Sequence, residues 1–216
     1  AAASASQLEV EIAAVGVSGM GPCVLLADDA DEPVRPAILY GVDTRATAQI
    51  DRMTDELGVA EITRVGGSTL TTQAGGPKIV WIADEEPAAY AAARRLFMPA
   101  SWLARHLTGA TVLDHQSASQ VSPLYDVERE EWHADNWARY APGIEAPRLL
   151  WAGDIAGQVT DAAAAATGLP AGIPVIAGTI DAWSEAVSVG AHEFGDVMLR
   201  YGTTMFLVAT GTETRR

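Results

Sequence analysis

Near the C-terminal end of the chain, one carboxylate and one small-residue turn stand about a helix's length apart. Pro174-Val-Ile-Ala-Gly-Thr-Ile-Asp181 runs a buried-type strand into small residues and delivers Asp181 at its end. Val197 to Tyr201 then opens into Gly202-Thr203-Thr204. A carboxylate so placed can accept the proton of a hydroxyl that attacks phosphorus. The turn can hold phosphate oxygens on backbone N–H groups and threonine hydroxyls, because glycine permits close backbone approach. Each has a plainer reading. Asp181 can be an ordinary helix cap, and Gly202-Thr203-Thr204 an ordinary hairpin turn. Local sequence leaves both pairs open, while their order and spacing point toward phosphoryl transfer.

Other candidates are weaker. Asp43-Thr44-Arg45 lies where a strand meets a helix, so the acid and guanidinium either grip adjacent sugar hydroxyls or form a helix cap with a surface ion pair. Gly16-Val-Ser-Gly-Met-Gly21 has the glycines in the wrong order for a dinucleotide fingerprint. Met20 also breaks the nucleophile-elbow pattern that a hydrolase acting through Ser18 would need. It reads as a tight connection beside a pocket. His106, His115, His133 and His192 have no metal-ligand spacing, and Cys23 is the only cysteine, so no metal ligands are assigned. Of the six tryptophans, Trp81, Trp102 and Trp151 read as core, whereas Trp183, two residues past Asp181, can wall a ligand pocket.

The elements that must position these groups follow from pattern. Leu8 to Val17 reads as a core strand, and the stretch 8–40 as an antiparallel meander turning at Asp28 to Pro33. Ile50, Met53 and Leu57 share one face of a helix over 45–57. Residues 58–76 read as loop with a little helix, and Lys78 to Ala83 as a short apolar segment. Pro87 starts a helix over 87–97, and Pro99 starts another that Gly109 ends. Residues 111–113 form a short strand and 132–140 a helix. Thr160 caps the helix 161–167, which Gly168 stops. Strand 173–178, helix 181–190 and strands 196–201 and 205–209 complete the chain.

Composition narrows the function classes. The 216 residues allow one large domain or two small ones, and 49 % hydrophobic content excludes a disordered chain. No apolar run approaches the roughly 20 residues needed to span a bilayer, and no secretory signal opens the chain. The net charge of −14 disfavours nucleic acid and anionic membrane as partners. A lone cysteine fits the reducing cytoplasm. Homodimer formation is left open.

Taken in order, the pieces resemble the FGGY family of carbohydrate kinases, the group of xylulokinase, gluconokinase and glycerol kinase. The matching segments are Val15-Gly-Val-Ser-Gly19, Arg35 to Tyr40 with Asp43-Thr-Arg45, and Lys78-Ile-Val-Trp-Ile-Ala-Asp-Glu85. Further on come Leu107-Thr-Gly109 with Asp114, Ser117-Ala-Ser119, Leu124-Tyr-Asp126, Thr167 to Gly172, Pro174 to Asp181 and Gly202-Thr-Thr204. The resemblance implies an α/β, ribonuclease-H-like domain of actin/hexokinase type: a mixed sheet flanked by helices, with a helical insertion over about 45–150. It implies Mg²⁺-dependent transfer of the ATP γ-phosphate to a sugar or polyol hydroxyl, with Asp181 on the catalytic base and Gly202, Thr203 and Thr204 on a phosphate-binding turn. Met20, Gly21, Pro22, Asp43, Arg45 and Trp183 are the expected substrate-side residues.

Two departures touch the pocket. Xylulokinases carry Gln-Met-His-Gly where this chain has Met20-Gly21-Pro22-Cys23, so the pocket histidine is gone. The Trp-x-Asp-x-Arg strand end becomes Tyr40-Gly-Val-Asp-Thr-Arg45, one residue longer. The family's opening Asp-x-Gly-Thr strand and its C-terminal nucleotide domain have no counterpart here. The expectation is therefore a partial N-terminal domain over 1–216, inactive alone. The alternative is a non-catalytic sugar-binding or regulatory module derived from a kinase domain.

Overall fold

A computed structural model describes residues 11–201 and 205–212. Its architecture is mixed α/β, with helices packed around six short two-stranded pairings. The principal core joins the strands Leu25–Ala27 and Arg95–Phe97 to the helices Thr47–Leu57, Val59–Gly66, Gly75–Glu85 and Ala134–Tyr140. Leu26, Ile38, Met53, Ile79, Ile82 and Leu96 lose all contact with solvent there, and burial of such side chains is the main favourable term in folding. A second core, with Val17, Ala100, Ala104, Val112 and Val175, packs the helix Pro99–Thr108 beneath the strands that lead toward Asp181.

Several element boundaries differ from expectation, each for a local reason. The 8–40 meander is not one sheet in its described part. Val15 bridges Val175 in parallel, and Ser18–Gly19 pairs in parallel with Thr179–Ile180. Leu25–Ala27 runs antiparallel to Arg95–Phe97, while the bridges Val24–Ile38 and Ala27–Pro33 keep the antiparallel return across the expected turn at Asp28 to Pro33. The partners Val175, Thr179–Ile180 and Arg95–Phe97 lie far along the chain, beyond the reach of local pattern. The helix from Pro87 stops at Ala92, where Ala93 turns extended and Arg95–Phe97 becomes a strand. Trp132 belongs to a strand, and the next helix starts at Ala134 behind His133, whose ring accepts the Asn136 N–H. A full helix, Val59–Gly66, occupies much of the expected loop 58–76, and Lys78 to Ala83 is the middle of the helix Gly75–Glu85. Thr160 caps Asp161–Thr167 and Gly168 ends it in the left-handed conformation, as the sequence indicates.

The inserted region is not purely helical, because the strands Arg95–Phe97, Val112–Asp114 and Arg148–Leu150 run through it. Trp151 departs from the core assignment: it is 47 % exposed and stacks against His115 at 4.5 Å between ring centroids. Trp81 and Trp102 are half-buried. After the helix Asp181–Ser188 comes an antiparallel hairpin of Val197–Tyr201 and Met205–Ala209. Met198, Phe206 and Val208 pack under it against Ala186 and Ala191 in a small third core.

Candidate active site

Asp181 is placed by a pairing of only two residues on each strand. Thr179–Ile180 lies parallel to Ser18–Gly19, with Ser18 opposite Thr179 and Gly19 opposite Ile180. Gly178, just before it, has φ of 69°, and a Cβ there would run into the Val17 carbonyl. Only glycine meets both conditions. The helix Asp181–Ser188 begins directly after Ile180, which is itself the cap residue, so Asp181 is the first helical residue and not the N-cap. Its Oδ1 accepts the Ala182 N–H at 2.9 Å. The Ser184 hydroxyl, one turn on, donates to Ser18 Oγ at 2.9 Å and ties the helix to the facing strand. That partner is another hydroxyl, which gives Ser18 no base and removes support for the hydrolase reading.

The loop Met20–Pro22 abuts this strand end. A Cβ on Gly21 would clash with the Ile180 side chain, so the loop backbone lies directly on the residue before Asp181. The Gly21–Pro22 peptide is cis. Met20 is exposed and Pro22 buried, so the loop presents backbone and apolar surface where an imidazole is absent. Buried Cys23 follows, and burial pushes its thiol up. The Tyr40 backbone and the Lys78 charge oppose that rise, while the Asp181 charge adds to it.

Lys78 is the residue that sequence reasoning missed as part of this site. It is 1 % exposed, and its Nζ donates to the Leu39 carbonyl at 2.6 Å. Burial pushes its ammonium down, and the Asp43 and Cys23 charges push it back up. A buried cation is costly unless neighbours compensate it, and Lys78 lies within electrostatic reach of Cys23 on one side and Asp43 on the other. The Asp181 and Lys78 charges thus both act on Cys23, and those of Asp43, Arg45 and Cys23 act on Lys78. A lysine within an amphipathic helix reads as solvated, and its burial depends on Leu39, 39 residues away.

Asp43 and Arg45 form a closed pair. Arg45 Nε lies 2.9 and 3.0 Å from the two Asp43 oxygens, and Nη2 lies 2.8 Å from Oδ2. These bonds hold the Asp43 carboxyl below its ordinary range despite an opposing contribution from burial. The helix cap is Ala46, so capping does not account for Asp43. The Arg45 guanidinium stacks on Trp81 at 4.8 Å, and Arg35, paired with Glu86, approaches the same ring at 5.6 Å. The preceding turn is pinned by Gln73, whose Oε1 accepts the Gly41 N–H at 3.0 Å, and by Thr72, whose hydroxyl donates to the Gly41 carbonyl at 2.9 Å. Trp183 packs half-buried on the principal core, its Nε1 shielded from water and without a hydrogen-bond partner. Gly202, Thr203 and Thr204 lie outside the described residues.

A strand-delivered carboxylate beside a glycine-proline loop, with a buried lysine and an acid–guanidinium pair behind it, suits a sugar kinase. Across residues 2–188 the chain matches the N-terminal domain of the FGGY family of carbohydrate kinases, and it belongs to that family. It is 32 % identical over 200 residues to the xylulose kinase of Streptomyces coelicolor, covering 87 % of this chain and 39 % of that protein. It is 32 % identical over 190 residues to the L-xylulose/3-keto-L-gulonate kinase of Escherichia coli, covering 85 % and 37 %. The crystal structure of xylulose kinase from Rhodospirillum rubrum superposes with a TM-score of 0.91 at 27 % identity, covering 99 % of this chain and 44 % of that one. The fold is the actin/hexokinase-like fold of these kinases, present in part. The chain spans 36 to 41 % of the length of the curated xylulose kinases it matches.

Proposed function

We propose that this chain is the sugar-binding portion of an N-terminal domain in an ATP-dependent kinase that phosphorylates a sugar, ketose or polyol hydroxyl. The packing of Gly21 against Ile180 carries this reading, because it sets a loop of substrate-binding type directly beside the Asp181 strand end. Asp181 accepts the hydroxyl proton as the oxygen attacks the γ-phosphorus of ATP. Asp43, kept ionised by Arg45, accepts hydrogen bonds from neighbouring sugar hydroxyls. Met20, Gly21 and Pro22 bound the sugar on the other side, and Trp183 holds the base-bearing helix to the core. Gly202, Thr203 and Thr204 position the transferring phosphate.

Among the described residues, no group of three or more His, Cys, Asp or Glu side chains could hold a metal ion. Mg²⁺ is usually held by one or two carboxylates together with the nucleotide phosphates, and this reading places that site partly on further elements of a longer polypeptide. Orientation and charge stabilisation in the closed cleft would supply most of the rate enhancement. Without an imidazole in the loop, the sugar need not be xylulose. No helix among the described residues is long and apolar enough to cross a membrane, and the single buried thiol supports a reducing, cytoplasmic setting.

A panel of ketoses, sugar acids and polyols, assayed with Mg-ATP and the complete polypeptide, tests this reading. One or a few sugars should turn over, and the 216-residue chain alone should show almost no turnover. Failure of every sugar to support ADP formation would overturn it, as would full activity of the isolated chain for its inactivity.

A further inference from the structure

A pairing of two residues is a weak mount for a catalytic group, yet Thr179–Ile180 carries Asp181. The strand is held from its flank as well. Thr179 is 7 % exposed, and its hydroxyl donates to Asp114 Oδ2 at 2.7 Å across 65 residues of sequence. Asp114 is 2 % exposed, and the same oxygen accepts the Ser117 N–H at 3.0 Å, capping the helix His115–Ser119. That oxygen is fixed by two donors from two elements. Burial pushes the Asp114 carboxyl up, and the Ser117 and Thr179 bonds oppose the rise.

Burying a carboxylate with so few donors is costly. An apolar pair of similar size would join the two elements without that cost, but it would not fix direction. Only Ile180 separates Thr179 from Asp181, so the two side chains hang on one short stretch of backbone. A rotation that displaced the Thr179 hydroxyl would swing the Asp181 carboxylate with it. The Ser184–Ser18 hydroxyl bond fixes the other flank, one helical turn beyond the base.

We propose that Asp114 and Thr179 are positioning residues that aim Asp181 at the attacking hydroxyl; this rests on the reading of Asp181 as the base. A misplacement of about 1 Å can cost about 100-fold in rate. The bond should therefore act on kcat and leave sugar affinity alone.

The test uses the complete polypeptide, Mg-ATP and the sugar the panel identifies, with Thr179→Val, Thr179→Ser and Asp181→Asn compared. Thr179→Val keeps shape and removes only the donor. It should lower kcat about tenfold or more, with sugar KM within about twofold, and Thr179→Ser should recover most of the loss. Wild-type kcat in Thr179→Val beside an inactive Asp181→Asn would overturn the positioning role alone. So would a loss shared by kcat and KM that serine does not rescue, since that marks a merely structural bond. Full turnover in Asp181→Asn would overturn both readings. If near-ultraviolet circular dichroism shows Thr179→Val unfolded, Asp114→Asn weakens the same bond from its other side. It should then lower kcat at constant KM, and wild-type kcat would overturn the proposal.

Discussion

The strand end at Asp181 and the hairpin Val197–Ala209 sit on either side of one short helix and are built on opposite terms. At the strand end nearly every group is spoken for. Ser18–Gly19 pairs it, Asp114 holds Thr179, Val17 leaves Gly178 no room for a side chain, and Gly21 presses on Ile180. The hairpin has ten backbone-paired residues but only one covered face. Val197, Leu199, Tyr201, Met205 and Leu207 are 58–82 % exposed on the other. Cross-chain contacts are concentrated at the strand end that bears Asp181, and the regular strand pairing next to it is far less constrained by packing. Regular secondary structure and precise placement are separate properties: placement comes from cross-chain contacts.

Substitutions can break or sharpen that contrast. The largest effect should come from the fully buried interior, where the Phe97 ring packs edge-on against Trp102. Phe97→Ala should cost about 3–5 kcal/mol, read as a lower urea midpoint, and a loss below about 1 kcal/mol would mean that Phe97, which is fully shielded from solvent, contributes little. Next comes a matched pair of glycines. Gly178→Ala meets both an unfavourable φ and the Val17 carbonyl and should cost about 2 kcal/mol or more. Gly190, at φ 78° near the hairpin with open space around its Cα, should cost only about 1 kcal/mol when changed to alanine. Equal losses at the two positions would erase the distinction between a crowded strand end and an open hairpin.

Two pH effects of opposite sign should follow. Because the folded Asp114 pKa is raised, its burial costs nothing at low pH. Stability is then lost as pH climbs from the ordinary carboxyl value of about 3.9 toward the raised one. Asp43 behaves in reverse: its folded pKa is lowered, so its contribution is present above the ordinary value and is lost as pH falls through the folded one. Thermal melts from pH 3 to 7 on Asp114→Asn and Asp43→Asn separate the two, and identical pH slopes in both variants would refute the assignment. The smallest effect belongs to the hairpin face. Leu199→Lys should change stability by no more than about 0.5 kcal/mol, and a large loss would show that the face is packed.

How much of this was legible in sequence depended on how far each interaction reaches. The Thr160 cap rests on adjacent residues and could be read directly, whereas Asp181 and the Met20–Pro22 loop could be named as candidates although Ser18–Gly19 and Ile180 place them. The collinear order of segments identified the kinase-like fold even though no single motif did. Lys78 and Asp114 could not be assigned roles, since a buried charge has meaning only through its partners, Leu39 and Thr179. The strand Arg95–Phe97 was absorbed into an alanine-rich helix because its pairing with Leu25–Ala27 leaves no local trace. Trp151 was assigned to the core by residue type, but it stacks on His115 at the surface.

The central claim is that Asp181 is the base. The direct measurement is turnover and sugar binding by the Asp181→Asn variant of the complete polypeptide, with binding followed by tryptophan fluorescence. The account predicts turnover lowered by about 100-fold or more with sugar affinity nearly unchanged. Turnover within a few-fold of the wild type, at the same sugar affinity, would contradict it.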